Sequence, residues 1–207
     1  EKYGFCGGTL TNSGVGPMMT FHAGKEQVVK GIAEEIIERL KKSGASVGHI
    51  ADTIGYASSV TPFDAEQLKH TLDEMLEECG CDVLYHTMLA GVNISGGKIQ
   101  SIKVCNKAGL SDIQGKIFID ATGDADLSSF AGVKCKKGRD ADNLSQPMTT
   151  NLKIANVDIE KIKKCMKENP SNFEMIDQLD MLDSTLRLSV AGFFNELEAA
   201  KKNGDIT

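Results

Sequence analysis

The sequence predicts an α/β protein. Helical and strand-like periodicities alternate along it, glycines mark the handovers, and a run of period-two segments occupies its middle. With 207 residues, 41% of them hydrophobic and 25% charged, the chain has enough apolar material to bury a core and room for one large or two small domains.

The first element is AGKEQVVKGIAEEIIERLKKSG, residues 23–44. It places Val28, Val29, Ile32, Ile36, Ile37 and Leu40 at three- and four-residue spacings and ends in lysines before Gly44, the pattern of an amphipathic helix. The second, TPFDAEQLKHTLDEMLEECG, offers Asp64 as an N-cap with Gln67 three residues on, then Leu68, Leu72, Met75 and Leu76 on one face. A short apolar segment, CDVLYHTML, follows and predicts a strand. AGVNISGGKIQSIKVCNKAG then alternates on both sides of Gly96-Gly97, a hairpin signal. SDIQGKIFIDATG predicts a third strand segment, with KIFIDA returning to the sheet. Further along, QPMTTNLKIANV reads as a strand, while DIEKIKKCMKENP and STLRLSVAGFFNELEAAKKNG read as helices.

Composition excludes several functions. A net charge of −6, with lysines scattered among acids, is the wrong footprint for nucleic acid. No apolar stretch reaches the length of a membrane span. The six cysteines lack any CxxC pair, so a metal site is not expected, and reduced thiols in a cytoplasmic protein are the default. Cys79-Gly80-Cys81, where a helix hands over to a strand, is expected to pack as small buried thiols. The chain opens without methionine and stops in the polar KKNGDIT, which reads as a piece of a longer protein.

One stretch asks for a functional explanation. In KIFIDATGDADLSSFAG the apolar run Ile117-Phe118-Ile119 ends in Ala121-Thr122-Gly123, followed by Asp124 and Asp126. A strand that merely ends needs no such turn; the small residues suit close approach of a ligand to the backbone. Asp126, opening the next short helix, reads as its cap.

An apolar strand ending in Ala-Thr-Gly-Asp after a three-stranded meander resembles the late flavin-contacting strand of FAD-dependent oxidoreductases. EKYGFCGG at the start resembles the segment where such proteins place an acid followed by a Gly-Gly loop. GGTLTNSGVGPMMTFHAGKEQVVKGIAEEI, ATGDADLSSFAG and QPMTTNLKI together are similar to the bacterial FAD-dependent oxidoreductases related to fumarate reductase and succinate dehydrogenase flavoproteins.

The resemblance implies a partial FAD-binding, Rossmann-like domain over residues 1–145, with 22–60 as a candidate helical insertion. Residues 146–207 would begin a substrate-capping domain. No G-x-G-x-x-G turn is present, so the pyrophosphate-binding unit, roughly 30 residues, is expected upstream. FAD is the implied cofactor, carrying hydride or electrons to or from a small organic substrate, with a redox partner or another subunit as a further participant. The isolated fragment is expected to be inactive.

Residue by residue, the resemblance assigns Glu1 to the adenosine ribose hydroxyls and Gly7 and Gly8 to the loop beside pyrophosphate and flavin. It puts the main chain at Leu89 against the adenine. Thr122 and Gly123 let the backbone reach the cofactor, and Asp124 accepts from ribityl hydroxyls. His22, after the Gly-rich GVGPMMTF, is the candidate for proton delivery, with a satisfied structural histidine as the competing reading. Arg139 reads either as a partner for a substrate carboxylate or as part of a solvated loop. His49, His70 and His86 show no matching partners in the sequence. The competing function is a non-catalytic α/β binding or scaffolding module.

Overall fold

The computed structural model describes residues 1–52, 54–174 and 179–206. In chain order the helices and strands are α1 (Thr9–Asn12), β1 (His22–Ala23), β2 (Glu26–Gln27), α2 (Ile32–Lys42), α3 (Ala65–Glu78), β3 (Met88–Ser95), β4 (Lys98–Asn106), β5 (Gly109–Gln114), α4 (Asp126–Phe130), α5 (Ile159–Glu168) and α6 (Phe194–Asn203). The mixed α/β class is as expected, and both sheets are antiparallel.

Contacts divide the chain into two compact units. One comprises Glu1–Cys6 with Asp73–Thr150, the other Gly7–Leu72 with Asn151–Thr207. The first is organised by the meander, in the order β3-β4-β5. Ser95 pairs with Lys98 across the predicted Gly96-Gly97 turn, where φ is 57° and 73°. Positive φ at both central residues matches the twist of the flanking strands, which is why two glycines serve there. Val104 and Ser101 on β4 are buried, and α4 packs against β3.

The second unit is built around α2 and α3. Phe21, Ile37, Leu40 and Leu68 form its core, with Leu10, Met18, Phe63 and Leu72 against them. Asp64 caps α3 as its spacing predicts, its Oδ1 accepting from the Glu66 and Gln67 N–H groups at 2.8 and 2.9 Å. A second cluster, Met166, Phe173 and Leu182, lies beneath α5, whose first turn is capped by Asp158.

Several expected elements differ, and each difference has a local cause. The first helix begins at Ile32 rather than near residue 23, because residues 22–27 form a hairpin, with His22 paired to Gln27. Gly31, at φ 70°, then separates hairpin from helix. CDVLYHTML is not a strand before Met88. Instead the Glu1 backbone nitrogen donates to the Leu84 carbonyl, and the Glu1 carbonyl accepts from Thr87 N–H, both at 2.9 Å.

KIFIDA and QPMTTNLKIANV are irregular. Ile117 and Ile119 are 82% and 83% exposed, with no neighbouring strand among the described residues to supply ladder bonds, and apolar alternation alone does not make a strand. The predicted last helix shrinks to α6, since Gly192 meets the Phe173 backbone so closely that an added Cβ would lie 2.6 Å from its Cα. Cys79 and Cys81 are exposed rather than buried. Among the described residues no helix is long and apolar enough to cross a membrane.

The core assignment makes a direct prediction. Leu68→Ala empties a site that is 1% exposed and should destabilise the protein by about 2–5 kcal/mol. Ile32→Ala, at a residue 72% exposed on α2, should stay within about 0.5 kcal/mol of wild type. Urea unfolding of both variants compares them; equal midpoints would contradict the described core.

Candidate functional site

The turn between KIFIDA and α4 is built on one carboxylate. Asp120 Oδ1 accepts from the Thr122 N–H at 3.2 Å and the Thr122 hydroxyl at 2.7 Å. Asp120 Oδ2 accepts from the Ser128 N–H at 2.9 Å and the Ser128 hydroxyl at 2.7 Å. The Thr122 hydroxyl oxygen in turn accepts the Asp126 N–H at 2.9 Å. Two free N–H groups at the start of α4 are thereby satisfied from upstream.

Asp126 is therefore not the cap that its position suggests. The cap position is Ala125, in the left-handed region at φ 59° and without a side-chain bond. Donation from the Ser128 backbone, then the Ser128 and Thr122 hydroxyls, holds the Asp120 carboxyl far below the usual carboxylate range.

Between these anchors the chain is held open. Gly123 sits at φ 88°, and a Cβ built there would meet nothing within 4 Å. The conformation, rather than crowding, asks for glycine, and the backbone faces free space. Asp124 is exposed, and among the described residues its carboxylate makes no hydrogen bond. It is an acceptor with nothing yet to accept from.

The same unit brings Glu1 close to Leu89. The Glu1 carbonyl is bonded to Thr87, two residues before Leu89, which lies half-buried on β3 opposite Val104. One Glu1 carboxylate oxygen accepts from Tyr3 N–H at 2.9 Å. Cys6 accepts at 3.6 Å from the hydroxyl of Tyr85, which also donates to Asp73. The Asp73 bond, burial and Cys6, in that order, push the Tyr85 hydroxyl upward, so it stays a donor. Arg139 is held by Asp142 through two bonds of 2.7 and 2.6 Å on an exposed loop.

Gly7, Gly8 and His22 belong to the other unit. Gly7 has φ 111°, and a Cβ there would run into the Thr11 side chain at 2.4 Å, so the tight turn into α1 requires its absence; Gly8 at φ 56° faces open space.

His22 is the centre of a polar network that residue spacing does not reveal. Its Nδ1 lies 2.9 Å from Ser59 Oγ, which lies 3.0 Å from Thr20 Oγ1. His49, expected to be without partners, stands beside it with ring centroids 5.2 Å apart. His49 Nε2 donates to Glu34 at 2.9 Å, and Nδ1 lies 2.7 Å from the hydroxyl of fully buried Thr61. Phe21 backs the His49 ring at 4.4 Å. His86 lies with its ring against Gly4.

Asp120, Thr20, Ser59, His49 and Glu34 are thus partners of the candidate residues that sequence reading misses. Asp120 had a detectable signal, an Asp followed two residues later by Thr, which is the spacing of an Asx-type turn. The others meet only through the fold, from 15 to 39 residues apart.

Asp120 makes a pH prediction. A carboxyl depressed in the folded state contributes stability above its unfolded pKa and loses it as pH falls through the folded value. The stability gap between wild type and Asp120→Asn should therefore be full at neutral pH and narrow below about pH 5. Denaturant titrations across that range measure it, and a gap constant down to the lowest pH would mean that the Asp120 bonds are absent in solution.

The model of a family described as FAD dependent oxidoreductase matches residues 1–206. Neither the curated proteins nor the solved structures include a significant match. With the match running over nearly its whole length, the chain belongs to the FAD dependent oxidoreductase family, whose cofactor is FAD and whose function is flavin-linked oxidation and reduction.

Proposed function

We propose that these residues form the later part of the flavin site of an oxidoreductase related to fumarate reductase and succinate dehydrogenase flavoproteins. The unit carrying a G-x-G-x-x-G turn would lie outside them. The observation that carries the reading is the turn at 122–124: Gly123 faces open space, and Asp124 offers an unused carboxylate on a support fixed by Asp120. A polyol chain rich in hydroxyl donors, such as the ribityl chain of FAD, fits that donor-poor, acceptor-rich turn.

In this reading FAD supplies hydride or electron transfer to or from a small organic substrate. The chain's own residues bind and orient. Asp124 accepts from ribityl hydroxyls, with Thr122 and Gly123 allowing approach of the backbone. Glu1 has one carboxylate oxygen engaged by Tyr3 and the other for the adenosine ribose, and Leu89 lines the adenine. Gly7 and Gly8 pass the pyrophosphate and flavin, and His22 meets the substrate at the reacting end. Residues 1–145 then serve the flavin, and residues 146–207 begin the part that covers the substrate.

The test is FAD titration into apo forms of the intact protein. Asp124→Ala removes a charged acceptor and leaves hydroxyls unpaired, a loss of about 1–3 kcal/mol. Affinity should fall by roughly tenfold to a hundredfold, each factor of ten being ~1.4 kcal/mol. Asp126→Ala, whose side chain caps nothing, should bind FAD as wild type does. Unchanged affinity in Asp124→Ala would remove residues 122–124 from the flavin site.

A further inference from the structure

Around His22 the donors and acceptors of the described residues can be counted one by one. The Thr20 hydroxyl oxygen accepts the His22 N–H at 3.3 Å and the Ser59 N–H at 3.1 Å, which uses both of its lone pairs. It has no room left for the Ser59 proton. Its own proton goes to Ser59 Oγ at 3.0 Å or to the His22 carbonyl at 3.3 Å. In either case the Ser59 O–H is left to donate to His22 Nδ1, 2.9 Å away, its one other partner among the described residues. A ring nitrogen that accepts a hydrogen bond carries no proton, so neutral His22 keeps its proton on Nε2.

His49 obeys the same count. The Glu34 carboxylate only accepts, so His49 Nε2 must donate to it, and the Thr61 hydroxyl then donates to Nδ1 of the neutral ring. Glu34 is itself held by the Gln27 amide. The imidazole beside His22 is therefore fixed at both nitrogens, and its Nε2 proton is committed to Glu34. His22 Nε2 is the ring nitrogen of the pair with no protein partner among the described residues.

We infer that Thr20 and Ser59 are positioning residues that hold His22 in the Nε2–H form, and that His22 acts as a neutral hydrogen-bond donor. Its target is a substrate oxygen that gains negative charge during the flavin-linked step. The inference rests on the placement of His22 at the reacting end proposed above, and it replaces proton delivery by donation without transfer. Were Nε2 to give up its proton, Nδ1 would take the Ser59 proton and leave an alkoxide with only the Thr20 hydroxyl to relieve it. Donation to a developing oxyanion needs no such step and is the kind of fixed, preorganised contact that stabilises it. The ligand class is a small molecule presenting a carbonyl or comparable oxygen to Nε2.

The test is spectroscopic and needs no known substrate. Histidine labelled with ¹⁵N in the intact protein, examined by long-range ¹H–¹⁵N correlation at neutral pH and assigned through His22→Gln, reports which ring nitrogen carries the proton. The expected spectrum has His22 Nε2 protonated and Nδ1 bare. In Ser59→Ala, with the donor to Nδ1 removed, both His22 nitrogens should shift toward the intermediate values of a tautomer mixture, while those of His49 stay put. Ser59→Thr, which keeps a hydroxyl, should restore the wild-type pattern.

A proton on His22 Nδ1 in the wild type overturns the inference, and so does a Ser59→Ala spectrum identical to wild type. The wild-type spectrum decides alone if Ser59→Ala does not fold. In parallel, His22→Ala that leaves the flavin absorption spectrum and its rate of reduction unchanged would count against placing His22 near the flavin. A wrong tautomer counts against the donor role alone, so the two failures are told apart.

Discussion

The Asp120 carboxylate, accepting four hydrogen bonds from Thr122 and Ser128, is the constraint on which the geometry of the turn at residues 121–128 depends. Without it, the stretch from Ile119 to Asp126 has neither a ladder partner nor a helix to define its path. With it, the chain is pinned on both sides of Gly123, and α4 starts with its first N–H groups satisfied. α4 packs on β3, so the same interaction fixes the turn relative to the meander that carries Leu89 and borders Glu1. The four donors cancel the tendency of a carboxylate to be solvated, which is why so polar a cluster can hold a fixed shape beside exposed Ile117 and Ile119.

The second unit uses the same economy of hydroxyls for a different end. Thr20, Ser59 and Thr61 have no charge, yet each one decides what a neighbouring imidazole presents. Serine and threonine suit this role because a hydroxyl both accepts and donates, so a short chain of them transmits the saturation of one oxygen to the protonation of the next group. The hairpin β1–β2 places His22, and the strand-like segment from Ser59 to Thr61, bridged to Ile50 and Met18, places the hydroxyls.

How much was legible in the sequence follows from how local each cause is. α3 was legible because its periodic face and its Asp64 cap lie within a few residues. The β3–β4 hairpin was legible because Gly96-Gly97 carries its own conformational signal. KIFIDA was misread because a strand exists only through a neighbour, which no property of the segment itself reports. The last helix was read too long because the contact that stops it, Gly192 against Phe173, joins residues 19 apart in number but adjacent in space. Gly123 and Asp124 stand out from the order of small and acidic residues after an apolar run, whereas Asp120, at the end of the predicted strand, conceals the interaction that holds them. The pairing of His49 with Glu34 crosses from a loop to a helix and left no pattern to find.

Contact of the Asp120-supported turn with FAD can be read from amide hydrogen exchange in the intact protein. Exchange is followed for residues 121–128 in the apo form and after FAD is added. The amides of Asp126 and Ser128, already bonded to Thr122 and Asp120, should exchange slowly in both states, while those of Gly123 and Asp124 slow when FAD binds. Protection that appears elsewhere in the protein while the Gly123 and Asp124 amides exchange at their apo rate would contradict that contact.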